Sequence, residues 1–150
     1  MTRAEVWWLH VATLLVALSG GAYAVSRYLL PHDDPFSNAG SAWEPWALAA
    51  HVLSAPILVF AVGFIYRRHV LRQRFEGRVQ GRVSGNVILY IGGLSVVTGY
   101  VFEVVTQAGP RRLLSLGHIA TGIVFAMTYV WHGVSGAQRR GAGESSADTE

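Results

Sequence analysis

Apolar positions along this chain collect into four long runs, Val6–Leu30, Trp46–Tyr66, Val87–Val105 and Leu113–Val134. Each run reaches the ~20 residues with which an α-helix crosses about 30 Å of hydrocarbon. Glycines inside the runs do not oppose this, because glycine is tolerated in lipid-spanning helices and lets neighbours approach closely. The pattern predicts an all-α fold, an integral membrane four-helix bundle with up-and-down topology over residues 1–136. The remaining stretch, 137–150, reads AQRRGAGESSADTE. It lacks apolar residues to offset ordering entropy and is expected to be a disordered cytoplasmic tail. No internal repeat stands out.

Composition moves the picture in the same direction. Of 150 residues 51% are hydrophobic and 14% charged, which fits a membrane protein rather than a soluble domain. Cysteine is absent, which excludes thiolate-held metal or iron–sulfur sites, disulfides and haem attached through CxxCH. Histidine is therefore the main candidate for metal ligation. Arg3 followed by the first apolar run and Ala22-Tyr23-Ala24 also fits a cleaved signal peptide. The run continues to Leu30, however, and is read as a membrane span.

Charge sets orientation. The 12 basic residues are all arginine. Six of them, Arg67, Arg68, Arg72, Arg74, Arg78 and Arg82, fall in the connection after the second run against a single Glu76. The connection after the first run carries Asp33, Asp34 and Glu44 and no arginine. The third is short and carries Arg111 and Arg112. The arginine bias places both termini and the basic loop in the cytoplasm, in a multi-pass protein of the bacterial inner membrane. Trp7, Trp8 and Trp131 then fall near one interface, with Trp43 and Trp46 near the other. No nucleic-acid partner is expected, since no recognised binding motif accompanies the arginines.

Four of the six histidines lie inside the apolar runs, where ionisable groups are costly and usually functional. His118 and His132 are 14 residues apart. At about 100° and 1.5 Å per residue they fall within roughly 40° of one face and about 21 Å apart along the axis. With alternating topology His51 shares the outer level with His118, and His10 the inner level with His132. Two bis-histidine haem b groups, one per level, would need that arrangement, so these four residues are the expected metal ligands. The competing role for each is a hydrogen bond to a neighbouring carbonyl or hydroxyl. His69 shares a face with His51 and competes with His10, but it follows Arg67-Arg68 and fits better as an interfacial residue near a propionate or quinone. His32 is expected in solvent.

Small residues near these positions would let a flat macrocycle approach the backbone: Gly122 one turn from His118, Ala55 one turn from His51, and Gly21 near the His10 face. Gly92, Ser95 and Gly99 form a similar stripe on the third run; ordinary helix packing uses the same stripe. Phe125 and Tyr129 lie between the two histidines of the fourth run, with aromatic packing as their expected role. Arg111 and Arg112, with Arg27, Arg67 and Arg68, are candidates to pair with haem propionates. Glu103, beside Tyr100, is either a proton acceptor from a quinol or a partner for Arg111 or Arg112.

With histidines on the first, second and fourth spans, two of them on the fourth, the chain resembles the di-haem cytochrome b membrane subunits of the formate dehydrogenase gamma type. The hydrogenase and thiosulfate reductase cytochrome b subunits are similar. The resemblance covers Val6 to Gly136 and rests on His10, His51, His118 and His132. It implies an outer haem on His51 and His118, an inner haem on His10 and His132, and a quinone site beside the inner one. The function it implies is electron transfer between the quinone pool and a periplasmic cytochrome or redox-enzyme subunit. Two further functions remain open. One is a stand-alone quinone reductase using superoxide or another small molecule, with Arg111 and Arg112 steering an anion. The other is a haem-free membrane anchor whose histidines only hydrogen-bond.

Overall fold

A computed structural model describes residues 2–30, 41–75 and 82–147. Those residues are all-α, in the order α1 (Arg3–Tyr28), α2 (Glu44–Ile65), a π-helical stretch (Tyr66–Leu71), α3 (Arg72–Phe75), α4 (Arg82–Val104) and α5 (Ala108–Ala147). Four of the helices are long and apolar enough to cross a membrane: α1, α2, α4 and the Ala108–Gly136 part of α5. This is the build of a multi-pass membrane protein. The chain divides into two compact units, Met1–Gly77 and Arg78–Glu150.

The first unit is an antiparallel pair. α1 begins with a reciprocal cap: the Glu5 amide donates to Thr2 Oγ1 at 3.2 Å and the Thr2 amide to Glu5 Oε2 at 2.9 Å. It ends where the Leu29 and Leu30 amides both donate to the Val25 carbonyl, with Pro31 next in sequence. α2 opens with Pro45 in its first turn, where a missing amide hydrogen costs nothing. The two helices are clamped at this end. Arg27 lies 3.5 Å from Glu44, and Ser26 Oγ is 2.6 Å from Ser41 Oγ.

The second unit is also an antiparallel pair, α4 with α5, and it is held by a regular seam. Gly99 faces His118, Gly92 faces Phe125 and Gly85 faces His132. Each step of seven residues up α4 matches a step of seven down α5. Seven residues are close to two helical turns, so the three glycines form one groove and the three rings one ridge. At the turn, the Arg111 amide donates to the Gln107 carbonyl to start α5.

The distribution of polarity is inverted relative to a water-soluble protein. Among the described residues the buried polar ones are Thr13, Ser26, Glu44, Ser54 and Ser115, while the buried apolar ones are Ala12 and Ile65. Leu18, Phe60, Tyr90 and Met127 are each at least two-thirds exposed. A surface that apolar is costly in water and suits a lipid solvent.

One expectation about boundaries is corrected. The connection after the second span is not all loop, since helical backbone continues through Tyr66–Leu71 and Arg72–Phe75 and resumes at Arg82. α5 continues into the polar stretch as far as Ala147, and 148–150 lie outside the described residues. In both cases a helix already nucleated in the apolar run extends into polar sequence at little cost, because each further residue adds a backbone bond.

Candidate functional site

Three of the four expected histidines are seated against the partner helix of their own pair. His51, on α2, sits on α1 at Gly20: a Cβ built on Gly20 would stand 2.7 Å from His51 Cε1 and 2.8 Å from Nδ1. Only glycine leaves that space. The ring is aimed by a bond from Nδ1 to the Val16 carbonyl at 3.0 Å. That carbonyl also accepts from Ser19 Oγ at 3.3 Å.

His118, on α5, repeats the arrangement on α4. A Cβ on Gly99 would lie 3.1 Å from His118 Cε1. His118 Nδ1 is 3.0 Å from the Ser95 carbonyl and 3.2 Å from Thr98 Oγ1, and Thr98 Oγ1 in turn donates to that carbonyl at 3.1 Å. The correspondence extends to the histidine's own helix. Ser54 Oγ donates to the His51 carbonyl at 3.2 Å, and Thr121 Oγ1 to the His118 carbonyl at 3.0 Å.

The two seats are therefore one motif written twice. VALSG at 16–20 matches SVVTG at 95–99, and His51-x-x-Ser54 matches His118-x-x-Thr121. This corrects the expectation that the chain has no internal repeat.

His132 shares the sequence pattern, with Ser84 before Gly85 and Ser135 three residues after the histidine. It lies over Gly85 with more room, its Cε1 3.8 Å from a built Cβ, and its Nδ1 contacts Ser84 Oγ at 2.7 Å. His10 is exposed on α1, whereas the other three are half-buried. His32 lies outside the described residues, as does the side chain of His69. The expected partnerships, His51 with His118 and His10 with His132, each take one histidine from each unit and are taken up below as a proposal.

Against family models, curated proteins and solved structures the chain matches none.

The chemistry of a seat follows from its acceptor. A carbonyl oxygen can only accept, so the proton of a neutral imidazole bonded to it sits on Nδ1 and the basic lone pair on Nε2. Histidines that ligate metals are commonly held in this way, the other ring N–H fixed by a backbone carbonyl. By that criterion the His51 seat and the His118 seat each fit an axial ligand. Among the described residues there is no group of three or more histidine, aspartate or glutamate side chains placed to hold a metal ion.

A Cβ built on Gly21 or on Gly122 meets no atom within 4 Å, and the glycine beneath His51 is Gly20. Gly92 and Gly99 are filled by Phe125 and His118 from the facing helix, which is ordinary packing of a ring into a glycine notch. Phe125 also stacks on Tyr129 with centroids 6.1 Å apart, in accord with an aromatic packing role.

Arg111 is engaged at the end of α4. Its Nη1 donates to the Phe102 carbonyl at 2.9 Å and the Val105 carbonyl at 3.1 Å, and its guanidinium lies 4.0 Å over the Phe102 ring. Those carbonyls have no amide left to meet inside the helix, so an arginine there acts as a C-terminal cap. Arg112 and Glu103 are exposed. Arg27, also considered for a propionate, pairs with Glu44.

Proposed function

We propose that this protein is a membrane electron-transfer protein, a cytochrome b that holds two haem b groups through His51 with His118 and His10 with His132. The observation that carries the proposal is the repeated seat. Two histidines in equivalent positions, one per helical pair, each give Nδ1 to a backbone carbonyl and keep Nε2 as the basic nitrogen. A ring fixed in that tautomer is what an axial ligand would need. The sequence separately assigns His51 and His118 to one depth by alternating topology.

Bound haem would supply one-electron chemistry, tuned by its axial ligands and their hydrogen bonds. The protein's own part is to hold each imidazole in one tautomer and to keep water from the sites. Electrons would pass between the quinone pool and a periplasmic cytochrome or redox-enzyme subunit. Both termini would be cytoplasmic, in a bacterial inner membrane, as the arginine bias argues. His10 is exposed on α1, and that position makes the His10–His132 site the more exacting test.

A haem-free anchor is the competing function. It is favoured by the bonds from Nδ1 to Val16, Ser95 and Ser84, which also serve plain helix association. The two functions separate in a reduced-minus-oxidised spectrum of protein purified from haem-replete cells. Sharp b-type bands support the cytochrome. A colourless preparation supports the anchor.

A further inference from the structure

Beyond α2 the winding changes. The span Glu44–Ile65 runs into the π-helical stretch Tyr66–Leu71 and then into α3, Arg72–Phe75. These ten residues, YRRHVLRQRF, hold four arginines and no acid. A π-helix bonds residue i to i+5, so residues five apart stand nearly one above the other. Tyr66 and Leu71 therefore share one row, and Arg67 and Arg72 the row beside it. Continuous α winding would set the members of each pair about 140° apart. Where α winding resumes, Phe75 is four residues from Leu71 and extends the apolar row. Arg67 and Arg72 are exposed, and Phe75 is 89% exposed.

We propose that this run is an interfacial lipid site, in which Arg67 and Arg72 bind the phosphate of an anionic phospholipid and Phe75 enters the acyl chains beside it. A segment that leaves a membrane span directly begins at headgroup depth, where aromatic side chains and arginines both anchor. A basic run at that depth attracts anionic lipid. The guanidinium fork meets phosphate oxygens through paired N–H bonds, which a lysine ammonium does not reproduce. A zwitterionic headgroup carries the same phosphate with its charge already balanced, so the lipid of net negative charge is preferred. Only the span is needed for this, and no haem.

The test uses the full-length protein in phosphatidylcholine bilayers with trace spin-labelled phosphatidylglycerol or phosphatidylcholine. The motionally restricted fraction gives the relative association of the two lipids. Wild type should prefer phosphatidylglycerol. Arg67→Gln with Arg72→Gln should lose most of that preference, and Arg67→Lys with Arg72→Lys should lose part of it. Arg3→Gln with Arg112→Gln changes two exposed arginines outside this run, removes the same charge and should keep most of the preference. Inorganic phosphate should not displace the lipid. Because the chain has no cysteine, Phe75→Cys takes a single spin label. That label should be open to oxygen and shielded from an aqueous nickel complex.

If the glutamine pair at 67 and 72 does not insert, the lysine pair carries the comparison. Equal losses in the two glutamine pairs, no preference in wild type, displacement by free phosphate, or a label at 75 open to nickel overturns the inference. The arginines would then only set orientation.

Discussion

The imidazole of His51 rests on the backbone of Gly20, where a single methyl group would stand 2.7 Å from the ring. The contact makes one hydrogen atom of α1 a condition for the orientation of a side chain on α2. The seat at Gly99 is slightly looser and that at Gly85 looser again, with nearest approaches of 3.1 Å and 3.8 Å.

A glycine-to-alanine series should follow that order. Gly20→Ala must push His51 off its carbonyl, at a cost of about 1–3 kcal/mol as overpacking. Gly99→Ala should cost less, and Gly85→Ala should be close to neutral. Equilibrium unfolding of the protein in detergent reads the order directly. Equal effects at all three positions would mean that the rings do not sit in these notches.

The four spans were legible because transfer of apolar side chains into lipid is a property of each segment by itself. Their ends were not, since α4 begins at Arg82 and α5 at Ala108, in polar sequence that continues a helix without being apolar. Gly20, the glycine beneath His51, was not among the candidate positions. A step of one residue turns a helix by about 100°, and the register of α1 against α2 is what places Gly20 on the seam.

The repeat was hidden for a related reason. The first helices align with a shift of 79 residues and the second with a shift of 67, so the chain has no single period. What the copies share is the glycine, the hydroxyl before it, the histidine and the hydroxyl three residues on. Those positions acquire meaning only when two helices face each other.

Arg111 and Arg112, adjacent and alike in sequence, should behave differently. Arg111→Ala removes a cap from the Phe102 and Val105 carbonyls and a cation–π contact, and should cost about 1–3 kcal/mol. Arg112→Ala should lie within about 0.5 kcal/mol of wild type. Both should retain full haem content. Loss of haem in Arg111→Ala without loss of stability would instead make that arginine a propionate partner.

The clamp at the end of the first pair should be less costly to break than its charges suggest. Arg27 is about a third exposed, its distance to Glu44 is 3.5 Å, and Ser26 keeps its bond to Ser41 when Glu44 changes. Glu44→Gln should therefore lower stability by no more than about 1 kcal/mol. A larger loss in the same unfolding measurement would show that the carboxylate charge carries more than its pairing with Arg27.

The pairing of ligands makes a further prediction. His51→Ala and His118→Ala should lose the same haem and leave identical residual spectra, and His10→Ala and His132→Ala should lose the other. Four variants falling into two spectral classes would establish the pairing. Residual spectra that group His51 with His132 would reassign it.

The most direct measurement is a pyridine haemochrome assay, giving haem per polypeptide for the purified wild-type protein. Two haem b per chain is the predicted result, falling to one in His118→Ala. Wild-type protein from haem-replete cells that carries no haem would contradict the account at its centre, leaving His51 and His118 as residues that pin helices together.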